Sequence, residues 1–194
     1  MAQFESFVPD VEVSGAAVLS IVDAMGSHKT IAQKILTDAG IVGLKADGWY
    51  SQQAWLDAFR VIHDRVGESL LFTIGTRIPE NALFPSDMDS LEKGLRSIDV
   101  AYHMNHRRDD RIMFDPATGE KADGIGNYGY EKKADRLIVM PCGNPYPCDF
   151  DRGIIEAMTR KFKPADSLFV RVTHDDTQPC RKQGADACTY RVEW

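Results

Sequence analysis

No stretch of about 18 consecutive apolar residues occurs in the chain, which excludes a helix spanning a bilayer. The opening residues, Met1 to Phe7, carry neither the basic region nor the apolar run of a secretory signal, so the expected location is the cytoplasm. Acidic residues, 29, outnumber the 23 lysines and arginines, and the two signs are interspersed. The net charge is -6, and the densest basic pair, Arg107 and Arg108, is followed at once by Asp109 and Asp110. Such a surface gives no footprint for nucleic acid or anionic membrane. There is no P-loop, Gly-x-Ser-x-Gly elbow or His-Glu-x-x-His helix. Gly124, Gly126 and Gly129 lack a strand-to-helix context, so no dinucleotide site is expected. With no hydride-cofactor site and no Cys-x2-Cys pair, a binding role is favoured over an enzymatic one.

What is present fits one domain, read as residues 1–194: a length of 194 residues, 43% of them apolar, allows a sizeable core. A short strand-like start over 7–13 leads to Ser14, a helix cap. Val18, Ile21, Val22 and Met25 then fall at i, i+3, i+4 and i+7, one face of a helix stopped by Gly26. Further helices are expected over 29–39, after Ser51 with Trp55, Phe59, Ile62 and Val66 on one face, and over 68–75. Ser86 with Asp89 resembles a capping box opening a helix that carries Leu91, Leu95, Ile98 and Tyr102.

The pattern then changes. Residues 109–126 read as a loop or hairpin, and strand signals follow over 128–132 and 136–140. Residues 142–148 are turn chemistry, Asp151 is a candidate cap for the next helix, and strands over 167–174 and 187–194 close the chain. Helices first (about 14–106), then a sheet-rich part (about 107–194), argue an α+β fold with N-terminal helices packed on a mainly antiparallel sheet.

All four cysteines, Cys142, Cys148, Cys180 and Cys188, lie in the last third. In a reducing compartment that clustering points to metal or redox chemistry rather than staples. Period-two alternation puts His174 in line with Val172, and Cys188 with Tyr190, Val192 and Trp194. Cys148 begins the preceding helix and Cys180 lies in the connecting loop. These three thiols and one imidazole can converge at one sheet edge as a closed, structural zinc set. Against this, the spacings are Cys-x5-Cys and Cys-x7-Cys rather than paired Cys-x2-Cys, and buried cysteines also pack as small hydrophobes.

The runs Pro147–Gly153 (PCDFDRG), Val170–His174 (VRVTH) and Pro179–Val192 (PCRKQGADACTYRV) resemble the end of a 4-vinyl-reductase domain. The resemblance covers about Glu68 to Trp194. It implies zinc held by Cys148, Cys180, Cys188 and an acidic residue. Here His174 stands in the acidic position with Asp175 as competitor, and Cys142 is a bystander. Sensors of aromatic compounds carrying this domain hold a small phenolic ligand with a histidine and an aromatic donor. That implies His103 or His106, at the polar end of the long helix, and Tyr128 or Tyr130.

The haem nitric-oxide-binding proteins and the vesicle-tethering (TRAPP-like) subunits have a distantly similar architecture. The alternatives implied are therefore a haem or tetrapyrrole ligand on His103 or His106, an accessory role in tetrapyrrole vinyl reduction, or an interaction module. The Tyr-x-Ser-x-Arg signature of the haem family is absent. A homodimer is expected from the number of apolar helical stripes, with a downstream protein partner to receive a signal.

Overall fold

The computed structural model describes residues 3–80 and 82–194. In chain order its elements are β1 (Val11–Ser14), α1 (Gly15–Ala24), α2 (Lys29–Asp38), β2 (Trp49–Ser51), α3 (Gln52–Arg65), α4 (Glu68–Glu80), α5 (Leu91–Met104), β3 (His106–Arg108), β4 (Arg111–Ile112), β5 (Asn127–Tyr128), β6 (Glu131–Ala134), β7 (Leu137–Gly143), α6 (Cys148–Lys161), β8 (Arg171–His174) and β9 (Cys188–Glu193). The α+β reading holds. The strands form two antiparallel sheets, one ordered β2-β1-β3-β4 and one ordered β5-β7-β9-β8, with β6 also paired to β7.

The small first sheet went unforeseen beyond β1, because β2 and β3 are three residues each, too short to show a period of two. Ser14 and Ser51 cap α1 and α3 as expected, their hydroxyls accepting from Ala17 and Ala54 amides. Two caps differ. Helix α5 is capped by Ser90, whose side chain accepts from Lys93, rather than opening at Ser86. Helix α6 begins at Cys148 after Pro147, so Asp151 lies inside it, fully buried. Asp151 is held there by Arg181 rather than by free amides.

The apolar stripes read from the sequence form the core. Val18, Ile21 and Val22 of α1, Trp55, Phe59 and Ile62 of α3, and Leu91, Leu95, Ile98 and Tyr102 of α5 are buried. So are Cys188, Tyr190, Val192 and Trp194 at the end of the chain. Each large side chain so buried contributes roughly 1.5–3 kcal/mol before entropy is charged against it. Leu168 lies outside β8 and is exposed, so the strand expected over 167–174 begins four residues later, at Arg171.

Helix α4 runs five residues past Gly75, where the sequence reading stopped it. Gly75 does not end the helix; it lets the helix approach α6. An added Cβ there would collide with the Phe150 carbonyl, and one on Gly153 would collide with the Phe72 carbonyl. Helix α6 is thereby fixed between α4 and the sheet, which places its first turn at the site described next.

Candidate metal centre and ligand cavity

Cys148 is the first residue of α6, His174 the last of β8, Cys188 the first of β9, and Cys180 precedes a short 3-10 turn. Their ligand atoms all lie within 4.8 Å of one another. The Sγ atoms of Cys148 and Cys180 are 3.7 Å apart, as are those of Cys180 and Cys188, and Cys148 to Cys188 is 2.9 Å. Zinc–sulfur bonds of about 2.3 Å in a tetrahedron set sulfurs about 3.8 Å apart, so two of the three edges already match.

His174 Nδ1 is 2.9 Å from Asp176, and its buried Nε2 has no hydrogen-bond partner. A carboxylate on one ring nitrogen orients the other as a ligand. Asp175, the other candidate, is half-buried and outside the cluster, and its carboxylate accepts from the Thr177 amide and hydroxyl. The Cys148 thiol donates to Cys188, which lowers the Cys188 pKa and raises that of Cys148. Arg181 adds to the lowering at Cys188, its Nε and backbone amide each 3.4 Å from that sulfur. Cys142 is buried on β7 and stays outside the cluster.

Arg181 is itself only 2% exposed. Its guanidinium forms an ion pair with Asp151, donates to the Asn144 carbonyl, and donates to Asn144 Oδ1 at 2.7 Å. Asp151 accepts from the Tyr128 hydroxyl at 2.6 Å, and Asn144 Oδ1 accepts from the Tyr146 amide at 2.9 Å. Burial raises the Asp151 pKa to about 6, with Arg181 opposing that rise.

Tyr128 and Tyr146 face a cavity of about 160 Å³ among α1, α3, α4, α5 and α6. Its wall is mostly apolar, with Trp55, Ile98, Tyr102 and Phe150 among its members, and it reaches the surface at Ala16 and Ala101. His106 is one of its polar groups, with Ser20, Ser97 and Asn105. Its Nδ1 lies 2.7 Å from the Tyr102 carbonyl, which only accepts, so Nδ1 carries the proton. Nε2 then accepts from the Tyr146 hydroxyl at 2.6 Å, and Tyr146 accepts from Gln52 at 3.2 Å. Burial lowers the His106 pKa to about 4, so the ring is neutral at pH 7.

Of the residues singled out in the sequence, His106 and Tyr128 line this cavity while His103 and Tyr130 do not. His103 is buried with Nδ1 on its own helix, 2.8 Å from the Asp99 carbonyl. Tyr130 carries Arg96 over its ring at 3.8 Å. Gln52 and Tyr146 were missed. Gln52 sits in a first turn of ordinary composition, and Tyr146 lies in a segment whose two prolines read only as a turn.

No family model matches the chain, and no curated protein does. Among solved structures it is similar to an H-NOX protein from S. oneidensis in the Fe(II)NO ligation state, at 12% identity and a TM-score of 0.64, over 93% of this chain and 98% of that one. A structure solved to probe haem distortion in the H-NOX family matches at 15% identity and a TM-score of 0.64, over 93% and 94% of the two chains. An oxygen-binding H-NOX domain related to soluble guanylate cyclases, in its oxygen complex, matches at 14% identity and a TM-score of 0.61, over 92% and 91%. The chain therefore has the fold of the H-NOX domains.

Proposed function

We propose that this chain is a small-molecule-binding, sensor-type domain whose ligand is a compact aromatic molecule, and whose C-terminal part is organised by one structural zinc ion. The observation that carries the reading is the cavity with a neutral imidazole in its wall. A volume of about 160 Å³ compares with the roughly 150 Å³ apolar cavity that admits benzene. The Tyr146 hydroxyl, oriented by its donation to His106 Nε2, accepts from Gln52 and keeps acceptor capacity for one ligand hydroxyl, which is how mostly apolar pockets gain specificity. Thermal shift tests it. Phenol raises the melting temperature of the wild type and not of His106→Ala; equal response in both removes the role given to His106.

The zinc reading is supported by the convergence of Cys148, His174, Cys180 and Cys188, which is also the set implied by the 4-vinyl-reductase resemblance. We read residues 1–194 as one such domain on the H-NOX fold. Elemental analysis of protein purified without added metal is expected to give close to one zinc per chain.

A second reading is favoured by the fold. Neighbours with this architecture are described with iron, haem or oxygen, so haem is the alternative ligand. His106 Nε2 is the one candidate axial atom, since His103 does not reach the cavity. The site as it stands does not fit the group: Tyr146 occupies Nε2, and about 160 Å³ is short of the roughly 300–1,000 Å³ of larger ligand pockets. A Soret band in the purified protein decides for haem. The homodimer also stays a proposal. Most of its helical stripes are buried within the chain, but Val66, at the end of the α3 stripe, is exposed, as are Ile31 and Val42, as apolar contacts for a partner on the N-terminal helical part.

A further inference from the structure

The cavity and the cysteine cluster are joined by one buried side chain. Arg181 touches Cys188 with Nε and its backbone amide, and reaches away from the cluster along two arms. One arm ends on Asp151, which accepts from Tyr128. The other ends on Asn144, which accepts from the Tyr146 amide. Both tyrosines stand in the cavity wall. Arg181, Asp151 and Asn144 are all at least nine-tenths buried, so water is a poor substitute partner for any of them. A planar guanidinium with a fixed fork of donors can hold both arms at once, which an ammonium cannot.

We propose that Arg181 is a positioning residue that couples the metal centre to the ligand cavity, so that the metal ion and the ligand each tighten the other's binding. The proposal rests on the reading of the two sites given above. With Cys188 held by a metal, the turn carrying Arg181 is anchored and Tyr128 and Tyr146 are fixed at their positions in the wall. With the metal released, Cys188 and that turn lose their anchor and both arms slacken. Linkage makes the effect reciprocal.

The test uses zinc-loaded protein and phenol as the probe. Zinc transfer to a colorimetric chelator is timed with and without saturating phenol, in wild type, Arg181→Lys and Asn144→Ala. We expect phenol to slow transfer about tenfold in the wild type, within the usual range for coupled sites, and less than about twofold in both variants. The ligand-independent readout is amide exchange at Tyr146 in the zinc-loaded proteins, expected about tenfold faster in Arg181→Lys than in wild type, with Leu36 on α2 unchanged. Asn144→Ala leaves the Arg181–Asp151 pair intact and serves if the lysine variant does not fold. Equal slowing by phenol in all three proteins, or Tyr146 exchange unaltered by Arg181→Lys, overturns the coupling. A wild type that takes up no zinc or no phenol fails earlier, at the reading of the sites.

Discussion

His106 gives the protein an acid sensitivity that one substitution isolates. The ring is 2% exposed, with both nitrogens engaged by the Tyr102 carbonyl and the Tyr146 hydroxyl. Burial lowers its pKa from 6.5 to about 4. As pH falls, the unfolded chain therefore takes up the proton first. The stability this site contributes is fully present above about 6.5 and is lost as pH falls towards 4. At about 1.4 kcal/mol per tenfold, the linkage over that interval amounts to roughly 3 kcal/mol. Asp151 runs the other way: its pKa is raised from 3.8 to about 6, chiefly by burial, so its contribution is present below 3.8 and lost as pH rises through 6. The wild-type profile sums both. The comparison that separates them is wild type against His106→Gln, since Gln does not titrate and the metal centre and Asp151 are common to both proteins. Urea denaturation at pH 7 is expected to show the variant less stable by about 1–2 kcal/mol, for the altered hydrogen bonds to Tyr102 and Tyr146. At pH 4.5 the gap should move in the variant's favour by about 2 kcal/mol. A gap of the same size at both pH values would refute the assignment of a buried, neutral His106.

Three further outcomes follow. Cys188→Ser should lose the zinc and lower the melting temperature sharply, because the site ties α6, β8 and β9 together, whereas Cys142→Ala should keep its zinc; elemental analysis with calorimetry checks both. Gly153→Ala should destabilise by about 1–3 kcal/mol or more in urea, since its Cβ meets the Phe72 carbonyl of α4. Multi-angle light scattering at micromolar concentrations should give the mass of two chains, and a mass of one chain removes the homodimer.

Much of the fold was legible because its helices bury one stripe each, and stripes such as Leu91, Leu95, Ile98 and Tyr102 show at a period of 3.6. The cysteine cluster was legible for a similar reason. Alternation along β9 put Cys188 on the side of Tyr190 and Val192, and all three are buried. The small sheet was not legible, because strands of two or three residues carry no periodicity. Nor was the Arg181 network. Arginine in a loop beside lysine and glutamine reads as solvated, and only the fold brings Asp151, Asn144 and Cys188 around it. His106 and His103 could not be separated by pattern. Three residues apart at a helix end, they differ in which one faces the gap left by Ala17 and Ser20 of α1, a matter of helix packing.

The central claim is that this cavity takes one compact aromatic ligand, and calorimetric titration with phenol tests it most directly, comparing wild type with Ser20→Leu. Ser20 lines the cavity, is buried, and its hydroxyl has no hydrogen-bond partner, so leucine fills the space without breaking a bond. The account predicts saturable binding of one phenol per wild-type chain and none to the folded Ser20→Leu variant. Absence of saturable binding to the wild type, or equal affinity in the filled variant, would contradict it.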